Sequence, residues 1–573
     1  MVGNVYQPRC HYDRGVSDDP ALTVEAEIPS ALGPAVAAKL AKAGEERVAE
    51  RLQVSDATLW GPAGAPEIAD RLGWLTIAER TLAGIDDIEA FAQGVAADGM
   101  RDVVLLGMGG SSLAPEVLRR CFEGSVAAGH PRLHVLDSTD AQTITATQQA
   151  IEPRRTLFLV SSKSGGTVEP LSLFAHFWEL SGTGENFAAI TDPGSGLEAL
   201  ASEHGFRQVF AGDPDIGGRY SALSAFGIVP AALMGIDVRA LLDGAASAFA
   251  TPMSAAGDEP AGVWLGAALS ALAQQGRDKL TFLISQSLPG LGLWLEQLVG
   301  ESTGKHGTGI LPVAEEPPGE PSDYGEDRVF LRIVDLDEHP ADGPAQSAYG
   351  SSAQAYARAG HPLITIPVRG PQDLGRLFLL AETAVAVAGW GLEINPFDQP
   401  NVQQAKDATK RVLAGFLENG ELPRVPDADS GELMSLLGEA SAPEYVAIMA
   451  YLQPSKEFDA AVGELRAAIR AAGRPSPGRA TTTFGYGPRF LHSTGQFHKG
   501  GPRTGRFLQL LHDGPGDVEI PAESYSFTTL KNAQAIGDLQ TLRELGLPAE
   551  RVRLDGDDPV GAVRALTEEI RER

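Results

Sequence analysis

Residues Leu157 to Trp178 read LFLVSSKSGGTVEPLSLFAHFW. Leu157 to Val160 are four consecutive apolar residues, the length and character of a short buried strand. Ser161, Ser162, Lys163, Ser164, Gly165, Gly166 and Thr167 follow as a small polar turn. Val168, Leu171, Leu173, Phe174, Phe177 and Trp178 then supply the apolar face of a helix, with Glu169 and Pro170 in its first turn, where both are favoured. A strand, a small polar turn and a helix start make an anion site. Unpaired backbone N–H groups and the positive end of the helix dipole converge there, and Ser164 and Thr167 add hydroxyl donors. An ordinary helix start needs one capping hydroxyl. Four hydroxyls and two glycines around one lysine point instead to a bound anion, and to a phosphate. The spacing is not GxxxxGK[ST], so nothing in the turn is built for a Mg-nucleotide.

Asp102 to Pro115, DVVLLGMGGSSLAP, repeats the plan. Val103 to Leu106 is a strand, Gly107, Gly109 and Gly110 the turn, and Ser111 and Ser112 precede a helix. A dinucleotide fingerprint would need glycine where Ser112 stands; close backbone approach to a small anionic ligand suits the turn better. Further strands are predicted at Leu133–Leu136, Ala188–Thr191, Leu280–Ile284, Val329–Val334 and Leu363–Val368, alternating with helices. Such alternation predicts an α/β fold with parallel sheets covered on both faces. Ligands of such sheets bind beyond the carboxyl ends of the strands, where both turns lie.

The chain has 573 residues, 21% charged and 43% hydrophobic, room for two to four domains. Its net charge of −29 argues against nucleic-acid binding, which needs a basic footprint. Holding a phosphate then requires a local positive site. Two cysteines, Cys10 and Cys121, form no disulfide framework or zinc pattern, which fits a reducing cytoplasm. The N-terminus lacks the apolar core of a signal peptide, and Ser221–Ile236 and Pro260–Gly276 are too interrupted for membrane spans.

Four segments are predicted: 1–60, irregular and helical; 61–238, a phosphate-binding subdomain; 239–425, a second subdomain; and 426–573, a C-terminal α/β extension, with the acidic, proline-containing stretch from Glu418 to Glu432 as a boundary. Tyr445–Leu452 is expected to be helical. Candidate chemistry is spread along the chain. Arg219, in GGRYS, is a guanidinium held after a glycine pair, suited to an oxyanion. Glu301 follows the apolar helix Leu291–Val299 and the expected stop at Gly300. A carboxylate there meets the negative end of the helix dipole, a setting for a general base, although a solvated loop glutamate fits the local sequence better. Lys406 falls on a stripe with Val402, Thr409 and Leu413; it either meets an anion or snorkels to water. Phe484–Gly501, FGYGPRFLHSTGQFHKGG, carries His492 and His498, six apart, a spacing that suits no helical metal pair. No metal or redox cofactor is predicted. His498, between Gln496 and a KGG turn, is the better acid/base candidate of the two.

Together GMGGSSLAP at 107–115, SSKSGGTVE at 161–169, GGRYS at 217–221, ESTGK at 301–305 and NPFDQPNVQQAK at 395–406 resemble the phosphoglucose isomerase family. The form is most similar to the isomerase half of fused transaldolase–phosphoglucose isomerases, including STGQFHKGG; the chain is too short to hold both halves. The resemblance implies two sugar-isomerase (SIS-type) parallel-sheet subdomains with the site in the cleft between them. It implies no cofactor, a cytoplasmic enzyme and a homodimer acting on glucose 6-phosphate and fructose 6-phosphate. Carried onto this chain, Gly110, Ser111, Ser162, Lys163, Ser164 and Thr167 bind the substrate phosphate end, and Gln399 belongs to the DQ…K element. Glu301 is the base between carbons 2 and 1, Arg219 steadies the enediolate, and Lys406 and His498 open the sugar ring. In most relatives the ring-opening histidine precedes the DQ…K element. Here that interval offers only His306, His339 and His361, none in such a setting, so the assignment of His498 implies a changed chain order. Two alternatives stay open: a non-catalytic sugar-phosphate sensor, and an isomerase with added mannose-phosphate specificity.

Overall fold

The computed structural model describes residues 24–125, 127–250, 260–338, 352–472, 479–554 and 556–572. His339 and Cys10 lie outside them. Strand β1 (Glu25–Glu27) comes first. Then follow β2 (Asp102–Gly107), β3 (Arg132–Leu136), β4 (Thr156–Ser161), β5 (Phe187–Thr191) and β6 (Gln208–Ala211). A second run holds β7 (Lys279–Ile284), β8 (Leu311–Val313), β9 (Arg328–Asp335) and β10 (Leu363–Val368). The last holds β11 (Tyr445–Tyr451), β12 (Thr481–Tyr486), β13 (Gly505–Leu511) and β14 (Ala549–Arg553).

These strands build three sheets, ordered β3-β2-β4-β5-β6, β1-β10-β9-β7-β8 and β12-β11-β13-β14. Every pairing is parallel except β1 with β10. Parallel strands need crossovers that cover the faces, so the central β2 and β4 are buried at every residue and read as unbroken apolar runs. β1 draws the segment before residue 60 into the second sheet as its antiparallel edge.

One hydrophobic core runs through the first two sheets and the helices Ala261–Gln274 and Leu374–Leu392 between them. The latter helix, with its preceding turn, is long and apolar enough to cross a membrane, but 94% of that stretch is buried in the protein. The third sheet unit docks against both others. Phe527, Leu530, Ala533 and Ile536, on the helix Phe527–Glu544, join the core over the first sheet, and Leu311 and Val313 of β8 join the core under the third. Between the units, Lys531 meets Asp140 at 2.9 Å with both side chains fully buried, and Arg466 donates to the carbonyls of Ala314 and Glu315.

Tyr445–Leu452 is not helical. YVAIMAY is β11, paired on both edges and buried throughout. A seven-residue apolar run has no period to separate helix from strand, and its Tyr, Val and Ile fit a pleated surface. The helix expected to stop at Gly300 runs from Leu291 to Thr303, so Glu301 sits inside its last turn. Lys406 lies on the helix Val402–Asn419 but off the buried stripe, which is Ala405, Ala408, Thr409, Val412 and Leu413; its own side is exposed.

Candidate active site

The carboxyl ends of β2 and β4 open into a cavity of about 490 Å³, within the usual range for small-molecule sites. Gly110, Ser111, Ser162, Lys163, Ser164, Thr167, Arg219, Glu301, Gln399 and Lys406 all line it. His492 lines it too; His498 does not.

The anion end is built as the turn chemistry dictates. Thr167 is the N-cap of the helix Val168–Ser181, yet its hydroxyl makes no capping bond and lies 3.2 Å from Ser162 Oγ. The first N–H groups of that helix are therefore left to a bound anion. Gly165 (φ +66°) turns the chain where a Cβ would strike Ser195. Lys163 is ion-paired to Asp192 and donates to the Asp213 carbonyl at 2.9 Å, which fixes its ammonium at the cavity edge. Gly110 works through its missing side chain: a Cβ there would stand 2.1 Å from the Gly218 carbonyl oxygen. The first turn thereby packs directly on the turn that presents Arg219.

Arg219 is 3% exposed. Its Nη2 donates to the carbonyls of Phe397 (2.6 Å) and Asp398 (3.1 Å), while Nη1 has no hydrogen-bond partner and lies 3.8 Å from Glu301 Oε1. A buried guanidinium with a free N–H pair at a cavity wall is a preset anion stabiliser. Lys305, fully buried behind it, donates to the Asn395 carbonyl (2.5 Å) and Asp398 (2.7 Å). Burial, then the neighbouring Arg219, pull its pKa down to about 7. Arg219 and Lys305 together fasten the segment before Gln399 to the helix carrying Glu301.

Gln297, one turn before Glu301, donates to Glu301 Oε2 (3.1 Å) and to the His492 carbonyl (2.7 Å). Gly109 (φ +55°) makes room, since a Cβ would stand 2.8 Å from that carbonyl. The His492 side chain is held by Glu169, Nε2 to Oε1 at 3.0 Å. Glu169 is buried, yet the facing His492 and Lys406 help hold its carboxyl below the usual range.

The expected role of His498 is overturned by its position. The helical turn Gly495–Gly500 aims it into the third unit, where Nδ1 meets Tyr445 Oη at 3.0 Å and the ring lies against Phe507. Burial and adjacent Lys499 push its pKa down to about 3, so it is uncharged at neutral pH. The rest of the motif is a buckle. Gln496 donates to the Gly304 carbonyl at the end of the Glu301 helix, and also pairs with Asn401 at the start of the Lys406 helix. Sequence reasoning also missed Gln297, Asp192, Glu67 and Arg71 as cavity residues. Arg71 is held by Glu67 at 2.6 Å, and Glu67 has a left-handed backbone (φ +58°), which only the folded chain reveals.

The family model described as "Phosphoglucose isomerase" matches residues 79–323. The glucose-6-phosphate isomerase of Rubrobacter xylanophilus is 29% identical over 64% of this chain and 92% of its own length. That of Thermus thermophilus is 30% identical over 61% and 92%. A crystal structure of a glucose-6-phosphate isomerase from Chlamydia trachomatis superposes with a TM-score of 0.60 at 18% identity, covering 70% of this chain and 89% of that one, a likeness of fold. By these matches and its five ordered motifs, the chain belongs to the phosphoglucose isomerase family.

Proposed function

We propose that the chain interconverts glucose 6-phosphate and fructose 6-phosphate as a cytoplasmic aldose–ketose isomerase. The observation that carries this is the convergence of Glu301 and the free Nη1 of Arg219, 3.8 Å apart, at the wall of a cavity whose far end is the Ser162–Thr167 anion turn. A sensor would need the anion turn alone; it has no use for a carboxylate facing an unpaired guanidinium.

The phosphate anchors the sugar at Ser111, Ser162, Ser164 and Thr167, and its binding energy orients the carbons to be exchanged. Lys406 and His492 open the ring. Glu301 takes the proton from carbon 2 and returns it to carbon 1, the hydroxyl proton of oxygen 2 passes to oxygen 1, and Arg219 Nη1 meets the oxygen that becomes negative between those steps. His492 takes the place that local pattern gave to His498. The resemblance implies a homodimer, yet all the groups named here come from one chain.

The test is deuterium incorporation at carbon 1 of fructose 6-phosphate in D2O, with formation of glucose 6-phosphate, for wild type and Glu301→Gln. Both are expected in wild type. The variant should bind the sugar phosphate and lose turnover by roughly 100-fold or more, the scale of a lost general base. Wild type that binds fructose 6-phosphate without exchange would establish the sensor instead.

A further inference from the structure

We infer that Gln534 and Thr139 are positioning residues that fix the tautomer of His492 and leave its Nδ1 as the nitrogen that takes the ring-opening proton. Gln534 stands on the helix Phe527–Glu544 of the third unit and is 2% exposed; Thr139 precedes the helix Ala141–Ala150 of the first and is fully buried. Thr139 Oγ1 donates to Gln534 Oε1 at 2.8 Å. That bond orients the amide, so Gln534 Nε2 donates to Glu169 Oε1 at 2.7 Å. The same Glu169 oxygen takes His492 Nε2 at 3.0 Å.

The hydrogens follow from this chain of bonds. Turning the Gln534 amide over would set its oxygen against the carboxylate. Despite its burial, Glu169 is held below the usual carboxylate range by the facing His492 and Lys406, so its oxygen only accepts and Nε2 carries the hydrogen. A neutral imidazole has only one N–H, and Nδ1 is then a lone pair. Among the described residues no protein group is hydrogen-bonded to Nδ1, while the ring lines the cavity.

The proton balance, which rests on the isomerase assignment above, closes. On opening of the glucose ring, the hydroxyl on carbon 1 gives its proton to Nδ1, the bond from carbon 1 to ring oxygen 5 breaks, and oxygen 5 takes a proton from the Lys406 ammonium. Once the ketose has formed, oxygen 5 attacks carbon 2 and returns its proton to Lys406, while the oxygen on carbon 2 takes the proton from Nδ1. Both side chains end as they began. Gln534 and Thr139 touch no substrate; they act only through Glu169 on His492.

The experiment compares two substrates. Fructose 6-phosphate must open its ring, whereas 5-deoxyfructose 6-phosphate lacks the hydroxyl that closes one. Deuterium exchange at carbon 1 reports Glu301 chemistry on both. Gln534→Met and, separately, near-isosteric Thr139→Val should lower exchange on fructose 6-phosphate by about 10-fold or more, part of the range for acid–base catalysis, with the open-chain substrate within about twofold of wild type. Equal loss on both substrates would show a merely structural role and overturn the inference, as would no loss on either. If wild type exchanges neither substrate, the isomerase assignment itself fails. Independently of turnover, 15N-histidine spectra, with His492 assigned by difference from His492→Gln, should show a lone-pair Nδ1 in wild type and a shifted or mixed tautomer in Gln534→Met. A protonated Nδ1 with a bare Nε2 in neutral wild type would also overturn it.

Discussion

Replacing His492 and His498 separately by alanine separates a working histidine from a structural one. The His492 ring lines the cavity and makes one side-chain bond, to Glu169, whose carboxylate keeps Gln534 as a donor when the ring is gone. The stability cost is that of one charged hydrogen bond on a partly exposed group, about 1–2 kcal/mol. The kinetic cost is that of an acid–base group, about 10²–10⁴-fold on a substrate that must open its ring. His498 reverses both figures. Its side chain is buried among Tyr445, Phe497 and Phe507, and its removal leaves a cavity and strips the buried Tyr445 hydroxyl of its partner. Truncating a large core side chain costs about 2–4 kcal/mol and orphaning a buried hydroxyl about 1–3, so His498→Ala should lose about 3–7 kcal/mol. Its turnover per folded molecule should stay within a few-fold of wild type. Urea unfolding midpoints and initial rates of glucose 6-phosphate formation, normalised to folded protein, read the two effects apart. Loss of turnover in His498→Ala at unchanged stability, or wild-type rates in His492→Ala, would refute the placement of the active histidine.

Three further outcomes are expected. Gly110→Ala places a methyl 2.1 Å from the Gly218 carbonyl oxygen, which is backbone and cannot swing away; it should destabilise by about 1–3 kcal/mol or more and raise KM as the Arg219 turn shifts, measured by unfolding and by steady-state kinetics. Glu382 is buried in the helix Leu374–Leu392 with neither carboxyl oxygen bonded, and burial raises its pKa well above 4.5. Above pH 4.5 the unfolded chain sheds this proton while the folded chain keeps it, so wild-type stability falls as pH rises toward the folded pKa, by up to about 1.4 kcal/mol per pH unit. Glu382→Gln should remove that slope, ending more stable than wild type at pH 7 and no more stable near pH 4, checked by unfolding at both. Finally, all the groups assigned to catalysis belong to one chain, so turnover per chain should hold constant on dilution through any dimer dissociation seen by sedimentation; a fall in step with dissociation would show a partner contribution.

Most of the fold was legible because parallel sheets announce themselves. A strand buried on both faces reads as an unbroken apolar run, and β2, β4 and β5 were each such a run ended by small residues. β11 misled for the same reason. YVAIMAY is apolar without a period, and nothing within seven residues says that β12 and β13 lie on either side. β1 was illegible because three residues carry no pattern, and its partner β10 lies more than three hundred residues away in sequence.

The site divides along the same line. Groups held by local structure, such as the Ser162–Thr167 turn, could be read from their own neighbours. Groups held by distant partners could not: Glu169 looked like a first-turn acid until His492, more than three hundred residues later, met it at 3.0 Å. Both histidines in HSTGQFHKGG sit in a polar, glycine-rich setting, and choosing between them requires knowing which way a single helical turn faces. Gly304 decides it: a Cβ there would stand 2.4 Å from Phe497 Cα, so Phe497 is pressed against the end of the Glu301 helix and His498, next to it, is carried into the third unit. His492, one turn earlier, is left at the cavity with its carbonyl on Gln297. The unusual chain order of the histidine carries no penalty for the same reason. A cavity at the ends of parallel strands is assembled from loops, and a third unit docked against both sheets can supply a side chain there wherever in the chain it is encoded.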